Sequence, residues 1–413
     1  MKAVVFTLGC KVNECESDSL ISGLIDRGYE VSDKLVKADL YIVNTCAVTA
    51  EAEKKSRQTA SRIKKLNPNA KIIFTGCATE RNPKSFSEKS NEYLVTGSFN
   101  KQKILDLLDK KGQMLFAEPG AFEELLPVTS LRTRTYVKVE DGCNNFCSYC
   151  IIPYLRGRVR SRNPESVLRE IEKTSPKEVI INGINLSAYD YNGTKLSGLM
   201  LKLKDVNARI RLGSLEVNVI DEEFLSAARR LKNFAPHFHL SLQSGNDEVL
   251  KKMNRHYTTD EYLTKVELIR KYFPDAGITT DVIAGFPTET DEQFYSSVEF
   301  IKKIGFSDIH PFPFSPREGT VAYKMKDISP EIKKQRLNIL LGVKKDLKEA
   351  FANDMINKTL MFLPEEQKDG FAVGYSENYL RLYVKNCNIK EIVKVKVNAP
   401  FKDGALAEII EGE

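Results

Sequence analysis

The sequence predicts an α/β protein built in three parts, and three observations lead there. Residues 1–117 alternate short apolar runs with amphipathic stretches, the pattern of a parallel sheet wrapped by helices. Between Thr135 and about Ser315, six strand candidates are separated by helical segments, which is the repeat of a partial or full β/α barrel. From Ile356 the chain turns to short alternating runs, a small all-β module. The domains therefore read as 1–117, 130–355 and 356–413, with a linker rich in Pro, Gly and Glu from about Ala117 to Ser130.

In the first domain, Ala3–Thr7 is a strand, and Ser17 can cap a helix whose apolar stripe is Leu20, Ile21, Leu24 and Ile25. Asp39–Val43 is the next strand, followed by a polar helix from about Ala50 to Leu66. Lys71–Thr75 and Tyr93–Thr96 continue the alternation, and KILDLLDK closes it with a helix. The barrel strands read as Tyr136–Glu140, Glu178–Ile184, Arg209–Glu216, His237–Gln243, Ile278–Ala284 and Asp308–Phe314. Helices such as PESVLREIEK, DEEFLSAARRL and TDEQFYSSVEFIKKI lie between them. Ser329-Pro330 opens a long helix carrying Leu340, Val343, Leu347 and Phe351 on one face. The last module contains TLMFLPEE, FAVGYSENYLRLYV and IVKVKVNAPF.

A hydrophobic share of 42% and a charged share of 29% over 413 residues exclude a disordered chain and leave room for several cores. The net charge of +6 is compatible with a nucleic-acid partner without demanding one. No stretch reaches the ~18–20 apolar residues of a membrane span. The start, MKAVVFTLGC, is shorter than a signal peptide of roughly 15–30 residues and reads as a strand. Eight cysteines in a chain of this size do not make a disulfide scaffold, so a reducing, cytoplasmic setting is expected.

Six of those cysteines form two triads. Cys143, Cys147 and Cys150 are local, in GCNNFCSYC. Cys10, Cys46 and Cys77 are dispersed, each closing an apolar run just beyond a strand, at the sheet edge where ligands bind in open α/β folds. Zinc sites prefer four ligands, usually as two CxxC pairs, and no fourth Cys or His lies near the local triad. A [4Fe–4S] cluster held by three cysteines keeps one iron open for an external ligand. Cys15 and Cys387 lie outside the triads and receive no role.

The CxxxCxxC spacing after the first barrel strand resembles the radical S-adenosylmethionine (SAM) superfamily. The segments VKVEDGCNNFCSYCIIPYLRGRVRSR, INGINL, RLGSLE, HLSLQSGNDEVLKKMNR, DVIAGFPTET and PFPFSPREGT resemble its methylthiotransferase branch over almost the whole length. The resemblance implies a radical SAM partial (β/α)6 barrel, a methylthiotransferase N-terminal domain and a C-terminal TRAM-like barrel. It implies a [4Fe–4S] cluster on Cys143, Cys147 and Cys150, whose electron splits SAM to a deoxyadenosyl radical. SAM contacts would come from Tyr149, Gly183, Asn185, Glu216, Gln243 and Gly285. A second [4Fe–4S] cluster on Cys10, Cys46 and Cys77 would carry the sulfur, with two SAM used per turnover. TLGCKVN, NTCAVTAEAEKKSRQ and FTGCATE resemble the type acting on N6-threonylcarbamoyladenosine at position 37 of tRNA. The implied partners are the tRNA anticodon loop and an electron donor such as flavodoxin or ferredoxin; the sequence does not fix the oligomeric state, and a monomer is the expectation.

Arg156, Arg158, Arg160 and Arg162 alternate in LRGRVRSR; an extended segment would turn all four to one face, a comb for RNA phosphates. The competing reading is a solvated or acid-paired surface. Lys54, Lys55, Arg57, Arg62, Lys64 and Lys65 form a second basic group, which on a helix is ordinarily an exposed face. The C-terminal module has eight Lys/Arg against nine Asp/Glu, so it is not basic overall. Two alternatives stay open: the same enzyme type acting on isopentenyladenosine-37 or a ribosomal-protein aspartate, and a non-enzymatic RNA-binding protein whose cysteines hold zinc.

Overall fold

The computed structural model describes residues 1–88, 93–125, 133–388 and 391–410. The linker residues 126–130 and the last three residues of the C-terminal module, expected above as parts of their segments, lie outside the described residues. The chain divides into two compact units. The first comprises Met1–Thr174, Asn182–Gly193 and Ser315–Tyr323; the second holds Ser175–Ile181, Thr194–Phe314 and Lys324–Glu413.

The first unit is organised by a six-stranded sheet. Its order is Glu30–Ser32, Lys2–Thr7, Leu40–Thr45, Lys71–Gly76, Leu94–Thr96, Gly112–Met114, every pair parallel. Alternate side chains feed two cores. Val5, Leu40, Ile42 and Ile73 meet Leu20 and Leu24 on one face, while Tyr41, Val43, Ile72 and Phe74 meet Ala60 and Ile63 on the other. Both faces are apolar because helices cover both, which is why the strands read as nearly continuous hydrophobic runs. The short strands Glu30–Ser32 and Gly112–Met114 escape sequence reading because EVS and GQM hold no apolar run, unlike the equally short Leu94–Thr96.

Two local expectations need correction. The first helix runs Lys11–Asp26 with Cys10 at its N-cap, so Ser17 lies inside it and is buried. The largely polar stretch Lys11–Ser19 concealed that start, because Asn13, Glu16, Ser17 and Asp18 are polar yet buried. KILDLLDK also forms no full α-helix: a 3₁₀ helix spans Lys101–Asp106, beginning after Asn100 in left-handed conformation.

In the second unit, Glu178–Asn182 pairs with Arg209–Leu212, and Ser214–Leu215, His237–Leu240, Gly277–Ala284 and Asp308–Pro313 form a four-stranded sheet, all parallel. With Arg134–Lys138 in the first unit, strands occur at all six positions expected of the β/α series. The long helix is Pro330–Asp354, capped by Ser329 with Pro330 at its first turn, as the Ser-Pro pair predicts. A closed five-stranded barrel follows in the order Thr359–Lys368, Phe371–Ser376, Arg381–Val384, Gly404–Ile409, Val393–Phe401. Buried Glu178 anchors it: Arg209 and Arg211 both donate to this carboxylate, and they extend to the carbonyls of Met361, Ser376 and Glu377. Cys387 packs in the barrel core. No helix among the described residues is long and apolar enough to cross a membrane.

Candidate functional site

The sheet order places strand Lys2–Thr7 between Glu30–Ser32 and Leu40–Thr45, so the chain reverses its direction of winding between the Lys2–Thr7 and Leu40–Thr45 strands. Such a switch point opens a crevice at the carboxyl ends of the strands. Cys10 lies three residues past Thr7, Cys46 directly follows Thr45, and Cys77 directly follows Gly76, so all three reach that edge. Asn13 stitches the loops together. Its Nδ2 donates to Leu8 O at 2.7 Å and Thr45 O at 3.0 Å, and its Oδ1 accepts from Cys10 Sγ at 3.8 Å. Cys46 and Cys77 are buried, whereas Cys10 is exposed, so the group opens on the Cys10 side.

Two glycines make this approach possible. Gly9 has φ +108°, and a Cβ there would meet Cys46 Cβ and Sγ at 2.8 Å. Gly76 has φ +106°, and a Cβ would meet Asn44 Oδ1 and Thr45 O at 2.6 Å. Any L-side chain at either position would be strained and would push the thiols apart. Burial, then the neighbouring Cys77, pushes the Cys46 thiol up to about 12, so an isolated thiolate is disfavoured unless a cation joins it. Among the described residues, no three His, Cys, Asp or Glu side chains close around one ion. Three thiols at an open-sided sheet edge can still hold an inorganic group that leaves one coordination position to an external ligand.

Behind the thiols lies a buried charge network that sequence reading missed. Glu16, wholly buried, pairs with Arg156, with Lys138 at 3.1 Å and with Lys101 at 3.7 Å. Asp141 pairs with Lys138 at 2.6 Å, Arg156 at 3.4 Å and Arg160 at 3.7 Å. Burial alone would raise the Glu16 carboxyl, but Arg156, Lys138 and Lys101 outweigh it and hold it well below the usual carboxylate range. Arg156 also reaches Cys77 Sγ with its Nε at 3.4 Å. The one sequence signal was the polar run NECESDS at the start of an otherwise apolar-striped helix.

The arginine comb is overturned by these contacts. Arg156 belongs to a short helix, Ile152–Arg156, rather than an extended strand, and is fully buried. Arg160 binds Glu118 at 2.9 Å, and Arg162 binds Glu124 at 2.7 Å and Glu170, both being buried too. Only Arg158 is exposed, its guanidinium 4.6 Å from the centre of the Phe146 ring. The other three are paired with acids, but in the interior rather than at a surface. On the helix Ala50–Leu66, Arg57 pairs with Glu53 and Lys55 with Glu51. Glu53 also receives Arg81 and Arg317, which fixes the Ser315–Tyr323 segment in this unit.

The local triad leaves the end of strand Glu140–Asp141, which pairs with Arg160–Ser161. The Cys143 amide donates to Gly157 O at 3.1 Å, and Cys150 N to Cys147 O at 2.9 Å, folding CNNFCSYC into a tight loop. Tyr149 lies on that loop, half-buried. Gly183 and Asn185 follow strand Glu178–Asn182, and Asn185 Nδ2 lies 3.7 Å from Cys143 Sγ. The Asn185 amide donates to Glu140 Oε2 at 2.7 Å; burial pushes that carboxyl up to about 8. Tyr149, Gly183 and Asn185 are therefore gathered with the triad in the first unit. Glu216, Gln243 and Gly285 belong to the second, each just past the end of a parallel strand. Glu216 pairs with Arg255 at 3.0 Å, and buried Gln243 adopts φ +66°.

Residues 137–301 match the Radical SAM superfamily, and residues 2–97 match a family described as Uncharacterized protein family UPF0004. The chain is 35% identical to the threonylcarbamoyladenosine tRNA methylthiotransferase MtaB of Bacillus subtilis, over all of this chain and 98% of that protein. It is 37% identical to the Thermotoga maritima protein of the same name, over 100% and 99%. A tRNA-2-methylthio-N(6)-dimethylallyladenosine synthase from Endomicrobium trichonymphae is 31% identical over 98% and 100%. Among solved structures, the radical SAM methyltransferase TsrM of Kitasatospora setae aligns with TM-score 0.56 at 17% identity, covering 75% of this chain and 72% of that one, a likeness of fold.

Proposed function

Since the chain belongs to the MtaB-type methylthiotransferase family of radical SAM enzymes, we propose that it converts N6-threonylcarbamoyladenosine at position 37 of tRNA to its 2-methylthio derivative. The observation that carries this reading is the gathering of Cys10, Cys46 and Cys77 at the sheet's switch point, in the same unit as the CxxxCxxC loop. Three thiols at each position suit two [4Fe–4S] clusters, each with one iron open. When bound, these groups and two SAM supply the radical that activates an unreactive aromatic C–H and the sulfur that replaces it.

The chain's own residues contribute position and charge. Gly9 and Gly76 admit the close approach of the dispersed thiols, and Asn13 fixes their loops. Asn185 and the tight 143–150 loop shape the rim around Cys143. Tyr149, Gly183, Asn185, Glu216, Gln243 and Gly285 are proposed to contact SAM, on the strength of their strand-end positions. Arg158 is the exposed cation proposed to contact RNA, at the tRNA anticodon loop. The domains are proposed as 1–117, 130–355 and 356–413, the last a TRAM-like barrel. A flavodoxin or ferredoxin as donor, a cytoplasmic location and a monomeric state complete the reading.

Mass spectrometry of tRNA nucleosides from cells lacking the protein tests the substrate. The expected result is loss of 2-methylthio-N6-threonylcarbamoyladenosine; its persistence where no redundant enzyme is present, or loss of the dimethylallyl derivative instead, overturns the assignment. Anaerobically prepared protein should carry about eight irons, two cubes' worth; colourless zinc protein would refute the chemistry.

A further inference from the structure

We propose that Arg156 is the positioning residue of the dispersed thiol centre, gripping the Cys77 sulfur and tying it to the strand end from which Cys143 departs. The inference rests on the reading that Cys10, Cys46 and Cys77 ligate a cluster, and it deepens that reading. One guanidinium makes every connection. Its Nε lies 3.4 Å from Cys77 Sγ, and its Nη2 donates at 2.6 Å to Asn13 Oδ1, the oxygen that also accepts from Cys10 Sγ. Its Nη1 faces Glu16 and, at 3.4 Å, Asp141, whose Oδ1 accepts the Gly142 amide at 2.9 Å, one residue before Cys143. The path from one thiol triad to the other is therefore a single buried side chain and one carboxylate.

Burial decides what this arginine does. At 0% exposure it cannot reach a phosphate, and the planar fork is fully engaged on internal partners. The seven charges of the network, Arg156, Lys138, Lys101 and Arg160 against Glu16, Asp141 and Glu118, leave one net positive charge behind the sulfurs. An N–H directed at a ligating sulfur withdraws electron density from it, and nearby positive charge favours the more anionic reduced state. Both raise a cluster's reduction potential. A lysine would keep the charge, but its single ammonium could not serve Asn13, Glu16 and Cys77 together.

The test uses the full chain with Cys143→Ala, Cys147→Ala and Cys150→Ala, so that any cluster is the dispersed one. Anaerobic reconstitution should give about four irons. In that background, Arg156→Gln is expected to shift the midpoint potential negative and alter the EPR signature, and Arg156→Lys to shift it negative by less. Should Arg156→Gln fail to fold, Arg156→Lys decides alone: a negative shift supports the role, and the parent potential overturns it. Iron bound normally with an unmoved potential refutes the arginine's role only. Absence of iron in the parent itself refutes the cluster reading, and this inference with it.

Discussion

Replacing Glu16 by Gln should destabilise the first unit far more than its modest change in shape suggests. In the native structure its carboxylate faces Arg156, Lys138 and Lys101, all buried, and shares Arg156 and Lys138 with Asp141. Neutralising one partner of a buried charge network costs about 3–5 kcal/mol, because the others stay desolvated and uncompensated. The Gln amide still accepts one hydrogen bond, which places the expected loss near the lower end, about 3 kcal/mol. For a unit of this size that corresponds to a fall in Tm of about 6–12 °C. Glu51→Gln is the control: Glu51 sits 3.9 Å from Lys55, with both side chains more than half exposed, and its loss should move Tm by only about 1–2 °C. Differential scanning calorimetry on the full chain reads both. The acid dependence has a definite sign. The folded-state pKa of Glu16 lies below its unfolded value, so its stabilisation is present above about pH 4.3 and is lost as pH falls toward the depressed value. The difference between wild type and Glu16→Gln should therefore begin to shrink below about pH 4.3 and close only as pH reaches the depressed value. A Glu16→Gln loss at pH 7 no larger than that of Glu51→Gln would refute the reasoning.

Cys147→Ala should abolish reductive cleavage of SAM, whereas Cys46→Ala should leave that cleavage measurable and stop sulfur insertion; equal loss of both in folded protein argues against distinct roles for the triads. Gly76→Ala places a methyl 2.6 Å from Thr45 O at φ +106°, so iron content should fall from about eight to about four while the EPR signal of the 143–150 cluster remains; full iron would contradict the packing argument. Arg158→Ala, at an exposed site, should leave Tm and iron unchanged and reduce the salt dependence of tRNA binding by about one unit of slope. An unchanged slope in a binding titration removes Arg158 from the RNA interface.

Much of the architecture was legible because it is written in local pattern. Apolar runs of five or six residues marked the buried parallel strands, Ser329-Pro330 marked the start of the long helix, and alternation marked the final barrel. The cysteine triads were legible through spacing and through their register just beyond the strands. The arginines were not. LRGRVRSR permits a comb of four if it is extended, but Ile152–Arg156 closes into a helix with Pro153 in its first turn, turning Arg156 inward.

The sequence by itself determined the kind of chemistry, since thiol number, spacing and strand register are properties of the chain's order. Tertiary structure alone decided which charges meet. Glu16 and Arg156 stand 140 residues apart, and nothing in either neighbourhood names the other. A buried ion pair is selected by which elements pack together, since the cost of an unpaired charge is felt only once water has been excluded. That same exclusion turned Arg156, one of four arginines expected at phosphates, into the inner scaffold of the thiol centre.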